Sequence, residues 1–305
     1  MSTLQKKIDQ AIHLLQSIHP EEGETLELAY SGGKDSDVIL TLARMAKINF
    51  TPRYKNTTID PPRTIAHARE NGCIITPPPK GTTFFSLIRE KGTPNMFARF
   101  CCSELKEYYT ARYVITGVRR SESRKRAALY HEPTYCRVFS KKKRTEMIMP
   151  ILEWTDEDVH QFIQNYNVKL HPLYYREDGT IDVQRRLGCM CCPLASNRKR
   201  REQFKQYPNM LRQYVRNLVI FMHTHPECKV SQRYPKGPCQ KMYRDLFFNT
   251  QQEFENFDNG TLFLKPTEDW YRTELEDYFN VNLTFTPQCC KDYVKQQHHA
   301  HKETR

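Results

Sequence analysis

Apolar residues in the N-terminal two thirds of the chain repeat with two periods, that of a strand and that of a helix. Leu26, Leu28 and Tyr30 alternate with other residues at the strand period, whereas the apolar residues of 38–46 recur at the helical period. Further strand patterns lie at 48–54, 73–76, 113–118 and 145–152, and helical patterns lie at 4–18, 83–91 and 155–166. This alternation predicts an α/β fold, a doubly wound and mostly parallel five-stranded sheet with helices on both faces.

The pattern changes after Pro193, where only helical periodicity remains. We therefore predict a sheet domain over 1–195, a smaller helical domain over 196–288 and a polar, disordered tail over 289–305. In doubly wound sheets, ligands bind at the carboxyl ends of the strands where the strand order reverses. The loops after the first and fourth strands are therefore expected to share one pocket.

The chain carries 47 Lys and Arg against 35 Asp and Glu in 305 residues, a formal net charge of +12. This bias favours an anionic substrate or a nucleic acid as partner. No stretch approaches about 18 consecutive apolar residues, and Met1–Pro20 lacks the apolar core of a signal peptide. We expect a cytoplasmic protein with no membrane span, whose 11 cysteines serve metal binding or catalysis instead of disulfides.

The loop after the first strand reads SGGKDS, from Ser31 to Ser36. Gly32 and Gly33 allow a sharp turn and close approach to a ligand, and the amides that open the next helix point at an anion. Lys34 adds a mobile charge that is expected to face solvent. The loop is suited to phosphate, although its spacing differs from GxxxxGK[ST].

SGGKDS resembles the signature of the PP-loop ATP pyrophosphatases, whose superfamily includes phosphoadenosine phosphosulfate (PAPS) reductases and tRNA or DNA thiolating enzymes. The resemblance extends over about residues 26–195 and implies an adenine nucleotide alpha hydrolase-like fold. It implies that the domain 1–195 binds an adenine nucleotide, which is PAPS, adenylyl sulfate or ATP. The contacts in this loop would be Ser31, Gly32, Gly33, Lys34, Asp35 and Ser36.

The loop after the fourth strand, GVRRSESRKRA at 117–127, is rich in planar guanidinium donors that suit phosphate or sulfate oxygens, although a solvated basic loop has the same composition. PAPS reductases have a similar stretch. That resemblance implies nucleotide contacts from Arg119, Arg120, Ser123 and Arg126.

The expected catalytic residues are Lys34, Asp35 and Arg119. Lys34 would stabilise the charge that leaves the phosphate chain, Asp35 would cap the helix or help to hold Mg²⁺, and Arg119 would clamp anionic oxygens.

Two groups of cysteines are candidates for an inorganic centre. Cys101 and Cys102 are adjacent, and GCMCC follows at 188–192. A Cys-Cys pair and a Cys-x-x-Cys turn can surround a tetrahedral metal or a cubane cluster, and adjacent cysteines suit the larger cluster better than one zinc. Zinc stays the alternative. The layout also resembles that of assimilatory adenylyl-sulfate reductases, which implies a 4Fe-4S cluster on Cys101, Cys102, Cys189 and Cys192, with Cys191 to spare.

The resemblance implies two possible reactions. Similar sulfonucleotide reductases use a mobile C-terminal cysteine that attacks sulfur, and a thioredoxin-like reductant then releases sulfite. Their Glu-Cys-Gly-Ile/Leu-His motif is absent here, and the nearest substitutes are Cys228, Cys239, Cys289 and Cys290.

The lysine and aspartate of SGGKDS resemble the ATP-cleaving members more closely. In those enzymes ATP adenylates an oxygen, pyrophosphate leaves, and sulfur from a donor displaces AMP, in some cases on DNA or tRNA. The basic run Arg198–Arg201 suits a nucleic-acid backbone or a solvated helix face equally well. A nucleotide-sensing regulator that has kept the fold is the third reading.

Overall fold

The structure is a computed structural model that describes residues 3–79, 81–108, 111–138, 144–259 and 266–285. The chain divides into two compact units. Unit 1 comprises Met1–Lys80 and Cys102–Cys189, and unit 2 comprises Gly81–Cys101 and Met190–Arg305. The sequence predicted a single boundary near residue 195, whereas the structure groups 81–101 with the C-terminal helices. The predicted tail, 289–305, lies outside the described residues.

Unit 1 alternates strands and helices. Its elements are α1 Thr3–Gln16, β1 Leu26–Tyr30, α2 Lys34–Met45, β2 Thr51–Lys55, α3 Thr64–Glu70, β3 Ile74–Thr76, β4 Tyr113–Ile115, α6 Arg124–Leu129, β5 Thr134–Val138, β6 Arg144–Ile148 and α7 Asp156–Asn165, with short 3₁₀ helices at Arg120–Glu122 and Pro172–Tyr174. A further helix, α5 Phe100–Leu105, contains the boundary between the two units.

The six strands form one mixed sheet in the order β3-β2-β1-β4-β6-β5, and every neighbouring pair except β5–β6 is parallel. The α/β class and the mostly parallel sheet are thus confirmed, and the strand order reverses between β1 and β4 as expected. The predicted count of five strands is wrong, because 134–138 forms the antiparallel edge strand β5. Edge strands bury little, and β5 therefore shows a weak apolar pattern.

The main hydrophobic core lies on one face of the sheet, under α1, α2 and α7. Leu28 of β1, Ile115 of β4 and Ile148 of β6 share a register line on this face and are fully buried. Thr155 begins α7 with a reciprocal capping box to Asp158.

The opposite face of the sheet changes from apolar to charged. Met147 and Tyr135 pack with a small apolar cluster at the β5–β6 side. Toward β2, the buried carboxylate of Glu27 accepts from Arg53 Nε at 2.8 Å and lies 4.0 Å from Lys55 Nζ. Basic residues on this face are therefore paired with the sheet's own carboxylate.

Unit 2 is helical among the described residues. Its helices are α4 Phe84–Lys91, α8 Asn197–Gln206, α9 Pro208–Thr224, α10 Lys229–Arg233, α11 Pro238–Phe247, α12 Gln251–Asn259 and α13 Glu268–Phe279. The segment 81–101 joins this unit because α4 packs along α9, where Gly92 leaves room for the ring of Phe221. In the described part of the chain, no helix has the length and apolar character that crossing a membrane requires.

His171 fastens the 3₁₀ turn at 172–174 to the segment before α3. Its Nδ1 accepts the Leu173 N–H at 3.1 Å, and its Nε2 lies 3.1 Å from the Pro62 carbonyl oxygen. These partners assign a neutral ring protonated on Nε2. The side chain is fully buried, and this burial lowers the pKa of His171 to about 4.

We expect the stability of the protein to fall as the pH drops from about 6.5 to about 4. Over this window the unfolded chain binds a proton on His171 that the folded chain does not, so unfolding becomes more favourable. The variant His171→Gln, which keeps a donor and an acceptor but does not titrate, should lose less stability. Urea unfolding midpoints across this window provide the measurement, and parallel losses in the two proteins would contradict the assignment.

Candidate functional site

The loop between β1 and α2 turns at Gly32, whose φ of 75° is in the left-handed region. A Cβ at this position would lie 2.9 Å from Cγ2 of Thr64, so glycine also permits close packing against α3. Gly33 is the N-cap residue of α2 and makes no side-chain cap bond. Asp35 therefore does not cap the helix, which was one of its two predicted roles.

Lys34 is buried, with only 3% of its surface exposed. The expectation that it faces solvent is wrong. Its Nζ lies 3.6 Å from the Asp35 carboxylate, and its backbone N–H donates to the Tyr174 hydroxyl at 3.0 Å. The charge is thus held close to the helix N-terminus, where an anion would be stabilised by both.

Arg119 connects the two predicted loops. Its Nε donates to Asp35 at 2.8 Å and its Nη2 donates to Asp156 at 2.8 Å. Its Nη1 bonds Ser121 Oγ at 3.0 Å and the Trp154 carbonyl at 3.4 Å. Each guanidinium nitrogen already donates within unit 1, and the group is 1% exposed. This geometry supports a positioning role for Arg119.

The two loops approach closely because of Gly117. A Cβ on this residue would lie 3.0 Å from the carbonyl oxygen of Asp35. The loops after the first and fourth strands therefore lie together as expected, whereas a pocket that they share stays a prediction. Burial works to raise the pKa of Asp156, but the Arg119 guanidinium outweighs it and lowers the pKa of this carboxyl. Asp156 is thus held as a carboxylate at the edge of the site.

The loop 117–127, which we call the arginine loop, contains one carboxylate, Glu122, that two arginines approach. Arg126 pairs with Glu122, and Arg186 Nη2 lies 3.9 Å from the same carboxylate. Burial and then the neighbouring Arg186 charge lower the pKa of Arg126. Two guanidinium groups therefore lie at this one carboxylate.

The other two predicted contacts of this loop have local roles. Arg120 pairs with Glu153 at 3.0 Å on the surface, and the Ser123 hydroxyl accepts the Arg126 N–H and caps α6.

Tyr174 and Arg186 were not identified from the sequence. The Tyr174 hydroxyl accepts the N–H groups of Lys34 and of Leu187, the latter at 3.3 Å. Burial raises the pKa of Tyr174 to about 12, so the phenol stays protonated. Both residues lie in the stretch HPLYYREDGTIDVQRRLG, which leads into GCMCC. The aromatic and basic composition of this stretch is the sequence feature that could have identified both residues.

A pocket of about 500 Å³ follows β2, the neighbour of β1 in the sheet. Pro61, Pro62 and Ile65 give it apolar walls, and the arginines Arg63 and Arg69 line it as well. Among the described residues, neither guanidinium has an ion pair or a hydrogen bond. Because both strands end at the same edge of a parallel sheet, this pocket belongs to the same region as the loop 31–36.

Two of the predicted cysteine ligands, Cys102 and Cys189, belong to unit 1. Burial works to lower the pKa of Lys106, but Cys189, Asp60 and Cys102 outweigh it and raise this pKa. Cys189 also bonds Thr57 Oγ1 at 3.5 Å. Both thiols thus lie near the Lys106 ammonium.

The other two predicted ligands, Cys101 and Cys192, belong to unit 2. Burial raises the pKa of Tyr214, and Cys191, Cys101 and Cys192 add to this rise. Cys191 is 1% exposed, packs 3.7 Å from Met210 Sδ and donates its N–H to Gln203 at 2.8 Å. Its burial fits a structural thiol.

Among the described residues, no group of three or more His, Cys, Asp or Glu side chains is arranged to hold an ion, and the set of four cysteine ligands stays a prediction. Asp35, the predicted Mg²⁺ ligand, is instead engaged by Arg119 and Lys34.

Two of the four cysteines that could replace the missing nucleophile, Cys228 and Cys239, lie among the described residues. Cys239 is buried, and burial raises its pKa above the ordinary value. Cys228 accepts the Ser231 N–H and begins α10. Cys289 and Cys290 lie outside the described residues.

Residues 89–195 match the family model described as the phosphoadenosine phosphosulfate reductase domain. This match confirms the predicted resemblance over that stretch, which contains the arginine loop and all four candidate cluster cysteines. The loop 31–36 precedes it.

Two relatives have similar sequences. An uncharacterized protein of Methanocaldococcus jannaschii is 29% identical over 73% of this chain and 55% of its own length. An uncharacterized 37.8 kDa protein of Escherichia phage 186 is 33% identical over 43% of this chain and 40% of its own length. The chain thus spans about half the length of these relatives.

Two solved structures are similar at low scores. The U34-tRNA thiolase NcsA from Methanococcus maripaludis, solved with its [4Fe-4S] cluster, has a TM-score of 0.39 at 15% identity, covering 94% of this chain and 88% of its own. The FMN adenylyltransferase of Candida glabrata has a TM-score of 0.39 at 15% identity, covering 56% of this chain and 58% of its own.

Replacing Arg119 with alanine should destabilise the protein by roughly 2–4 kcal/mol, because it removes a buried guanidinium and leaves Asp35 without its partner. Arg119→Lys should recover only part of this loss, since one ammonium cannot reproduce the fork. Arg120→Ala, which removes an exposed ion pair, is the matched control and should change stability by less than about 0.5 kcal/mol. Urea unfolding measures all three, and equal effects of the two alanine variants would show that Arg119 does not organise the site.

Proposed function

We propose that this chain is an adenine-nucleotide enzyme that activates an acceptor oxygen with ATP and releases pyrophosphate. The observation that carries the proposal is the buried array of Lys34, Asp35 and Arg119 at the sheet's switch point. In this proposal the fixed cation and the helix N-terminus face the leaving phosphates of the nucleotide. Arg126 and Arg186, which both lie at the Glu122 carboxylate, add positive charge.

The proposed reaction needs only groups that the chain or its substrates supply. An acceptor oxygen attacks the α-phosphorus of ATP, the bond to the β-phosphate oxygen breaks, and pyrophosphate leaves with the electron pair. Lys34 stabilises that leaving charge. A sulfur nucleophile of the hydrosulfide class then attacks the activated carbon, and AMP leaves. The acceptor in this proposal is a carbonyl oxygen of a nucleobase in RNA or DNA.

Reduction of PAPS or adenylyl sulfate to sulfite, with a thioredoxin-like reductant, is the second candidate. The match of residues 89–195 to the PAPS reductase domain favours it. Against it, the two substitute nucleophiles that the structure describes are a buried thiol, Cys239, and a helix cap, Cys228. The attack on sulfur requires an accessible thiolate, which the buried Cys239 does not offer. The lysine and aspartate of the loop 31–36 make ATP activation our first candidate.

The protein, purified without oxygen, should convert ATP to AMP and pyrophosphate in the presence of RNA or DNA. Release of sulfite from PAPS or adenylyl sulfate with thioredoxin, and no pyrophosphate from ATP, would replace this proposal with the reductase. Release of neither pyrophosphate nor sulfite would favour a nucleotide-sensing regulator.

Lys34→Met should lower kcat for pyrophosphate release by about 10²–10³-fold, because it keeps the buried aliphatic chain but removes the cation that faces the leaving group. The stability of the variant should change little compared with its activity. Lys47→Met, on an exposed residue after α2, is the control. An unchanged kcat for Lys34→Met would remove the central residue of the mechanism.

We also propose that Cys101, Cys102, Cys189 and Cys192 bind a 4Fe-4S cluster, as the resemblance to adenylyl-sulfate reductases implies. The protein purified without oxygen should then be brown and contain roughly four iron atoms per chain. Cys189→Ser should lose most of the iron, whereas Cys136→Ser, at an exposed edge-strand thiol, should retain it. A colourless protein with one zinc ion would support the zinc alternative instead.

A further inference from the structure

The turn between α4 and α5 presents two large apolar side chains to solvent. Phe97 is 99% exposed and Met96 is 64% exposed. We call residues 92–99, which read GTPNMFAR and lie within unit 2, the aromatic tip. Among the large hydrophobic residues that the structure describes, Phe97 is the most exposed. An aromatic ring in this position gains free energy from any surface that covers it.

The aromatic tip has a closed backbone conformation. The Asn95 side-chain oxygen accepts the N–H groups of Phe97 at 2.8 Å and of Ala98 at 2.9 Å. The Asn95 N–H in turn donates to the Ala98 carbonyl at 3.3 Å. Gly92, with a φ of 76°, ends α4 and begins the turn. The Phe97 ring is thus presented on an ordered turn, which lowers the entropy cost of binding.

The charge of the aromatic tip is positive. It contains Arg99 and no acidic residue. Arg99 is exposed, and its guanidinium has no ion pair or hydrogen bond with the residues that the structure describes. An exposed aromatic ring two residues from an exposed guanidinium suits a ligand that offers both a flat apolar face and an anionic group.

The size of the exposed patch decides between classes of partner. Two side chains at one turn cover far less than the roughly 1,000 Å² that a specific protein interface needs. They match one or two unpaired bases, whose flat faces stack on aromatic rings while the adjoining phosphates pair with cations.

We propose that the aromatic tip binds single-stranded nucleic acid, with Phe97 stacking on an unpaired base and Arg99 contacting a neighbouring phosphate. This proposal rests on the proposed function in one respect, since it makes single-stranded nucleic acid the acceptor of that reaction. The binding itself requires no nucleotide and no turnover.

The test measures fluorescence anisotropy of labelled oligothymidylate and oligouridylate of about 20 nucleotides with the full-length protein in the absence of ATP. Phe97→Ala should weaken binding by about tenfold. Phe97→Trp should bind as the wild type or more tightly, and Phe97→Leu should resemble the alanine variant, because stacking requires an aromatic face. Arg99→Ala should lower the slope of log affinity against log salt concentration by roughly 0.7.

Ile74→Ala is the matched control, since this residue is 50% exposed but lies on β3 in unit 1. It should bind as the wild type. Equal affinity of Phe97→Ala and the wild type would overturn the proposal. So would recovery of binding by Phe97→Leu together with binding to vesicles of anionic phospholipid, because that result identifies insertion into a lipid surface.

Two further measurements separate this inference from the proposed function. Lys34→Met should bind the oligonucleotides normally, whereas Phe97→Ala should reach the wild-type rate of pyrophosphate release when nucleic acid is saturating. Normal oligonucleotide binding by the wild type, with no pyrophosphate release in any variant, would support the aromatic tip and reject the ATP reaction. Pyrophosphate release with the same KM for nucleic acid in the wild type and in Phe97→Ala would reject the tip and retain the reaction.

Discussion

The candidate site depends on one buried guanidinium, that of Arg119. A charged group with 1% exposure is costly to bury unless it is paired and hydrogen-bonded. Arg119 meets this requirement only when the first turn of α2, which carries Asp35, and the start of α7, which carries Asp156, come together beside its own loop. Gly117 makes the approach sterically possible. The free energy that folds unit 1 therefore also assembles the site before a ligand arrives.

A second set of buried polar groups fixes the conformation of the loop 31–36. Asp37, one turn into α2, accepts from the Tyr30 hydroxyl and lies 3.1 Å from His67 Nε2. Tyr174 fixes the Lys34 amide from the other direction. Buried polar groups that are all satisfied specify one arrangement, because any other leaves a group without its partner. Such a loop needs little reorganisation to bind the phosphates of the nucleotide that we propose, which is what transition-state stabilisation requires.

The net charge of the chain does not correspond to one basic surface. Arg200 and Arg201, from the run that suggested a nucleic-acid backbone, donate to the carbonyl oxygens of Asp245 and Leu246 in the last turn of α11. Those carbonyls have no partner within their own helix, so the arginines complete the helix end. A better guide to a binding surface than a count of charges is a cation close to another cation, such as Arg126. A cation without a paired carboxylate among the described residues, such as Arg99, is another.

The sequence by itself determined the α/β class, the order of most elements and the meeting of the loops 31–36 and 117–127 at the reversal of strand order. These features follow from local periodicity, from turn residues and from the geometry that parallel sheets share. Only the tertiary structure decided that Lys34 is buried, that Arg119 bonds carboxylates of its own chain and that Tyr174 and Arg186 belong to the site. Burial and side-chain partners depend on contacts between residues far apart in the chain, and no local pattern encodes which distant group satisfies a donor.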